Sequence, residues 1–191
     1  MKKIIAGALF ILAAGTAQAQ LTQMRFYVGA DVAKVTTKVD DKTGIPPIVS
    51  GEADATTLRL KGGGHLASWF DLELQLLFPS EETYSRVATN NTVKSSVFAI
   101  FGKPKAAFGP LEVYGLFGIS GATVEMTGVF QGKKSKSGFA YGLGAQYNFT
   151  PSFGASLEFT QYNKQNFELE NLPGGIDIDI KAASVGIAYT F

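Results

Sequence analysis

The chain holds one histidine, His65, with two acids, Asp71 and Glu73, a short distance beyond it. A histidine held by a carboxylate is a common general base. Around these three stand Arg25, Asp31, Arg59, Lys61, Glu112 and Glu158. Such a set either moves protons or neutralises itself as ion pairs. With no cysteine there is neither a thiol nucleophile nor a disulfide. Gly62-Gly63-Gly64 lacks the rest of a phosphate-loop signature and reads more simply as a kink in a curved strand. No metal-ligating cluster stands out.

The elements that must position these residues show a period of two. Phe70, Leu72, Leu74, Leu76 and Phe78 share one face of a ribbon, and Asp71, Glu73 and Gln75 take the other with Leu77. Alternation recurs from Phe26 to Val32, from Leu58 to Leu66, from Leu111 to Ile119, from Phe139 to Phe149, from Phe153 to Phe159 and from Val185 to Phe191. The stretch from Val93 to Lys103 is less regular. Phe98 and Ile100 there oppose Val97, Ala99 and Phe101, a pattern that a bulge would shift. The pattern predicts an all-β chain of about eight strands, the smallest number usual for a closed membrane barrel.

Short links are expected at residues 67–69, 103–110 and 150–152, and long polar loops at 36–55, 79–92, 125–137 and 163–179. This alternation of short and long connections is that of an up-and-down transmembrane barrel, with tight turns on the periplasmic side and longer loops outside. A soluble ligand-carrying barrel shares the period. Its lumen, however, would have to hold the Phe and Leu rows, which crowd an eight-stranded interior. Aromatic residues also gather near both strand ends. Phe26, Trp69, Phe70, Phe108, Tyr147, Phe149, Phe153, Tyr189 and Phe191 lie by the short turns, and Phe78, Phe139, Tyr141 and Phe159 approach the other ends, as membrane girdles require.

The apolar rows are therefore expected to face lipid and the charges the lumen. With a turn centred near Ser68, Lys61 falls opposite Gln75 and diagonal to Glu73, and His65 falls opposite Asp71. Arg25, Asp31, Arg59, Lys61, Asp71, Glu73, Glu112 and Glu158 have lumenal parity, as does Lys94, and their signs nearly balance. They are expected to plug the barrel with ion pairs. A gated ion path through the same pairs is the alternative.

At the N-terminus, Lys2 and Lys3 precede an apolar run, Ile4 to Ala14, too short to span a bilayer, and then Ala17-Gln18-Ala19. This predicts a signal peptide spanning residues 1–19, followed by a barrel domain over 20–191. Its removal leaves 15 basic against 16 acidic side chains, which gives no electrostatic case for nucleic acid. At the other end Val185, Ile187, Tyr189 and Phe191 alternate up to a terminal aromatic.

That terminus resembles the C-terminal assembly signal of bacterial outer-membrane proteins. With the signal peptide and the strands, the whole mature chain resembles the small outer-membrane β-barrels of the OmpA, OmpX and opacity-protein type, without the peptidoglycan-binding domain that follows the barrel in OmpA proteins. The resemblance implies a closed antiparallel barrel, the barrel-assembly machinery as partner, and contact with outer-membrane lipid and lipopolysaccharide. No cofactor is implied, and a monomer is expected. Some small outer-membrane barrels modify lipid A with a His near the outer leaflet, but His65 adjoins a short, periplasmic turn and is expected to be a structural partner of Asp71.

Specificity then belongs to the outer loops. Ile45, Ile48 and Val49 are expected in the first, Lys133, Lys134 and Lys136 in the third, and Glu168, Glu170, Asp177 and Asp179 in the fourth. The apolar tips suit a host or surface protein, and the lysines suit lipopolysaccharide phosphates. The functional expectation is a non-enzymatic barrel with a structural or adhesin-like surface role. A narrow porin-like channel is the second reading.

Overall fold

The computed structural model describes residues 25–41, 51–84, 91–127, 132–169 and 172–191, with side chains for 25–38, 54–78, 96–123, 135, 137–162 and 179–191. Ile45, Ile48, Val49, Glu170 and the N-terminal segment 1–24 lie outside the described residues. Eight strands follow one another: β1 Phe26–Asp41, β2 Gly51–Ala67, β3 Phe70–Tyr84, β4 Asn91–Phe108, β5 Leu111–Thr127, β6 Gly132–Asn148, β7 Phe153–Leu169 and β8 Leu172–Thr190. Each pairs antiparallel with the next, and β8 returns to β1 to close the barrel.

The strands run 15 to 19 residues, well past the ~9–11 that cross a bilayer. Most of the segments 36–55, 79–92, 125–137 and 163–179, expected as loops, are therefore strand. Lys133, Lys134 and Lys136 have their backbone in β6, Glu168 in β7, and Asp177 and Asp179 in β8. Past the hydrocarbon neither face of a strand must be apolar, so the alternation that marks a strand in sequence fades there. The link at 103–110 likewise shrinks to Gly109-Pro110, where Gly109 takes a φ of 63°, a left-handed conformation suited to glycine.

Alternation fixes the two faces. Val28, Val32, Leu72, Leu76, Phe117, Ile119, Leu143, Leu157, Val185 and Ile187 lie on the outer surface, and Phe139 is 85% exposed. Trp69, Phe108, Tyr147, Phe149, Phe153, Tyr189 and Phe191 ring the short-turn end, with edge contacts between Tyr147 and Phe149 and between Tyr189 and Phe191. Such a surface is solvated by lipid, not by water.

The irregular strand β4 keeps one parity: Val97, Ala99, Phe101 and Lys103 are buried inside while Phe98 is exposed outside. Its register with β5 holds from Thr92↔Thr127 to Phe108↔Leu111. The mixed hydrophobicity reflects an apolar level in the lumen, not a bulge.

Bulges occur elsewhere, one on β3 between Leu77 and Ser80, another on β7 between Gln161 and Asn163. Each coincides with the end of a ladder. Among the described residues β2 and β3 pair outward only as far as Arg59↔Leu77, and β6 and β7 only as far as Tyr141↔Gln161. The six other pairings continue toward the far ends of the strands. Beyond those two points the wall is two four-stranded sheets, β7-β8-β1-β2 and β3-β4-β5-β6, separated by two seams.

Candidate functional site: the filled lumen

Inward parity brings the charged residues together in the half of the lumen nearer the short turns. Arg59 on β2 is fully buried and reaches across the barrel. Its guanidinium donates to Asp31 on β1 and Glu158 on β7, and also to Gln75 Oε1 at 3.3 Å and Tyr162 Oη at 3.1 Å. Arg suits this position because its planar fork satisfies several acceptors at once. Lys61 Nζ stands 3.1 Å from Asp31 Oδ1 and donates to Ser156 at 2.7 Å.

A second centre lies around Glu73. Its Oε2 receives Lys103 Nζ at 2.7 Å and the Tyr27 hydroxyl at 2.5 Å, and its Oε1 receives Gln75 Nε2 at 2.7 Å. Gln75 Nε2 also donates to Glu158 Oε1 at 2.9 Å, which joins the two centres. Tyr114 donates to Glu158 Oε2 at 3.1 Å and offers its ring to Lys103 Nζ at 4.0 Å from the centroid. Three cations, Arg59, Lys61 and Lys103, thus meet three carboxylates, Asp31, Glu73 and Glu158. Buried charges survive only when paired and hydrogen-bonded in this manner.

At the short-turn mouth, Asp71 accepts from Lys105 Nζ at 3.1 Å, and its Oδ1 lies 2.8 Å from His65 Nδ1. The same Nδ1 lies 2.9 Å from Lys105 Nζ, which can only donate. The ring therefore accepts from Lys105 in one tautomer and donates to Asp71 in the other protonation pattern. Lys105 also stands 3.5 Å from Glu112, which accepts from Asn148 at 2.9 Å.

Beside and beyond the ionic groups the lumen is apolar, with Phe101 across from Glu73 and Ala99 across from Gln75. Ala33, Val35, Leu77, Val97, Ala99, Phe101, Leu116, Ala122, Ala140, Ile180 and Ala182 are all buried there. Tyr162 sits at the boundary, its ring near Phe101 and its hydroxyl donating to Gln75 Oε1 at 2.5 Å.

The structure thus gathers Asp31, Arg59, Lys61, Asp71, Glu73 and Glu158 inside the barrel, with Glu112 half-buried at its mouth. His65 stands opposite Asp71, and Lys61 opposite Gln75. Arg25 is elsewhere: it precedes β1 and donates to the Pro151 carbonyl at 3.1 Å, in the turn between β6 and β7. The backbone of Lys94 lies in β4, while its side chain is outside the described residues. Val185, Ile187, Tyr189 and Phe191 present an exposed row along the end of β8.

Lys103 and Lys105 were missed because the turn was expected to begin at 103. Continuing the parity of Val97, Ala99 and Phe101 through it would have found both. Tyr27, Tyr114 and Tyr162 carry no sequence signal of their own beyond inward parity. The glycine run passes through the β2–β3 ladder in register. A Cβ on Gly63 would stand 2.5 Å from the Tyr27 ring and from the Leu72 carbonyl, so this glycine makes room for the tyrosine that holds Glu73.

Chemically the arrangement is one of paired charges, with Asp31 Oδ1 and Ser184 Oγ left without a hydrogen bond among the described residues. Each lumenal carboxylate named is met by a cation, and among the described residues no three His, Cys, Asp or Glu side chains come together as a metal site.

Several solved structures share the architecture. OprG of Pseudomonas aeruginosa is 13% identical, with a TM-score of 0.63 over 87% of this chain and 95% of that one. Ail, the attachment invasion locus protein of Yersinia pestis, is 14% identical, with a TM-score of 0.58 over 87% of this chain and 98% of that one. Neisserial surface protein A is 16% identical, with a TM-score of 0.56 over 87% and 97%. At such identities the likeness is one of fold. A search of curated protein sequences finds no match. Residues 4–191 match the family model described as the outer membrane protein beta-barrel domain. A closed eight-stranded wall, apolar outside and ionic within, is thus joined to a family match over nearly the whole chain, and the protein belongs to the outer membrane β-barrel family.

Proposed function

We propose that this protein is a non-enzymatic barrel of the bacterial outer membrane whose lumen serves stability and whose outer strand extensions serve surface interaction. The observation that carries the reading is the bonded set Arg59–Asp31–Glu158–Gln75–Tyr162, which ties β1, β2, β3 and β7 together across the lumen amid a buried apolar lining. A lumen occupied in this way has no use for open water, and its carboxylates are committed to cations. The outer strand extensions and the connections beyond them then carry specificity. Residues 1–19 act as the export signal, and Val185, Ile187, Tyr189 and Phe191 as the signal read by the assembly machinery.

One structural neighbour bears the name attachment invasion locus protein. That name supports an adhesin-like role here by analogy of fold. Planar-bilayer recording tests the reading, together with adhesion of cells that display the protein. Electrical silence with adhesion that is lost on deletion agrees with it. Steady single-channel steps that change with Arg59→Met would favour the narrow-channel reading instead. Altered lipid A acylation in a deletion strain would make the protein an enzyme.

A further inference from the structure

A fully closed barrel has no free strand edge, which accords with the expected monomer. Closure stops at Arg59↔Leu77 and at Tyr141↔Gln161. Beyond those pairs four edges border the two seams: residues 51–58 of β2, 78–84 of β3, 132–140 of β6 and 162–169 of β7. The first carbonyl past each ladder is taken by a hydroxyl instead. Thr57 Oγ1 donates to the Phe78 carbonyl at 2.7 Å, and Ser120 Oγ to the Tyr162 carbonyl. Both seams begin at a bulge, and Pro79, which has no N–H to give a ladder, lies in the first.

Charge separates the two seams. The β2 and β3 edges contain Glu52, Asp54, Glu81 and Glu82 and no cation. The β6 and β7 edges contain Lys133, Lys134, Lys136 and Lys164 against one acid, Glu168. The register explains how each sheet tolerates this. Across one sheet Glu52 pairs with Lys38, Lys38 with Asp179 and Asp179 with Lys164. Across the other Glu81 pairs with Lys94, Lys94 with Glu125 and Glu125 with Lys133. Each row alternates in sign, as cross-strand neighbours should. Each also starts with an acid at the β2/β3 seam and ends with a lysine at the β6/β7 seam.

The seams lie four strands apart around an eight-stranded ring and so face opposite directions. Membrane insertion holds every copy upright and brings the seams of neighbours to one height. We infer that copies of this chain associate side by side, the acidic β2/β3 seam of one against the basic β6/β7 seam of the next. The contact is heterologous, and opposed contact faces extend it into rows instead of closing it as a dimer. Charge complementarity sets the partner and the polarity of the row, and the unpaired strand edges supply backbone groups at the contact.

The absence of cysteine makes the test direct. Thr56 on β2 and Ser135 on β6 are both exposed. A chain carrying Thr56→Cys and Ser135→Cys, treated in native outer membranes with a short bifunctional thiol reagent, should give a ladder of dimers, trimers and higher species. Either single variant should give none beyond background. Monomers from the double variant, or equal dimers from a single one, overturn the proposal.

Charge exchange in the same double-cysteine background distinguishes association from misfolding. Glu81→Lys with Glu82→Lys, and separately Lys133→Glu with Lys134→Glu, should each abolish the ladder while unheated protein keeps its folded mobility on a gel. Co-expression of the two should restore it. A ladder that survives either reversal, or fails to return on co-expression, refutes the pairing. Monomers throughout, with lipopolysaccharide retained only by chains keeping Lys133 and Lys134, would assign the basic seam to lipid phosphates and overturn the proposal.

Discussion

Arg59 offers the sharpest test of what the lumen does. Arg59→Met keeps much of the side-chain volume and removes the charge that Asp31 and Glu158 share. Breaking a buried pair by removing one partner costs about 3–5 kcal/mol, because the remaining charge is left uncompensated. Asp31 keeps Lys61 at 3.1 Å, so the greater part of the loss falls on Glu158. That carboxylate retains only neutral donors, Gln75, Tyr114 and Thr160. Adding Glu158→Gln removes the orphan charge and leaves Lys61 and Lys103 facing Asp31 and Glu73. The double variant should therefore be more stable than Arg59→Met alone, by roughly 1–3 kcal/mol on the scale of coupled neighbours. Reversible urea unfolding in lipid vesicles, followed by the single tryptophan, Trp69, measures all four corners of the cycle. A cost below about 1 kcal/mol for Arg59→Met, the level of an exposed pair, would refute the reasoning. Simple additivity of the two substitutions would do the same.

Other expectations follow from the same geometry. Phe101→Ala empties part of the apolar level and should cost about 3–5 kcal/mol by the same unfolding assay. Gly63→Ala should displace the Tyr27 ring and cost about 1–3 kcal/mol, with a changed near-ultraviolet circular dichroism signal. Thr150→Val removes the hydroxyl that accepts from the Ser152 and Phe153 amides in the tight turn, at a cost of about 1 kcal/mol, read as a lower urea midpoint. On the outer extension of β2, hydrogen bonds from Lys34 and Thr36 hold the Asp54 carboxyl below its ordinary range. A carboxylate depressed in the folded state stabilises above its unfolded pKa, and that contribution fades as pH falls through the folded value. Carbon-detected NMR should show Asp54 titrating below a free aspartate, and nearer to it in Lys34→Met.

The barrel was legible because a wall between lipid and lumen imposes strict alternation, as from Phe139 to Phe149 and from Phe70 to Phe78. The hairpin at 67–69 even fixed His65 against Asp71. Two features escaped for physical reasons. Past the hydrocarbon both faces of a strand can be polar, so the extensions of β3 and β6 read as loops. In β4 the lumen itself is apolar, so Val97, Ala99 and Phe101 oppose Phe98 and Ile100 without any polar signal to mark the inside. Losing that parity also lost Lys103 and Lys105, which complete the ionic level. The seams depend on bulges at Pro79 and Tyr162, and a bulge leaves only a one-residue change of phase in sequence.

Sidedness decides the whole account, and β4 tests it within a single strand. In a Trp69→Phe background, tryptophan is placed at Phe98 in one variant and at Phe101 in another, and each is refolded into vesicles of brominated phospholipid. Phe98 is 44% exposed on the outer surface and Phe101 is fully buried in the lumen. Bromine on the acyl chains should quench fluorescence strongly in the first variant and leave the second nearly unchanged. Stronger quenching in the second would mean that the lumen assigned here faces the lipid, and would contradict the account.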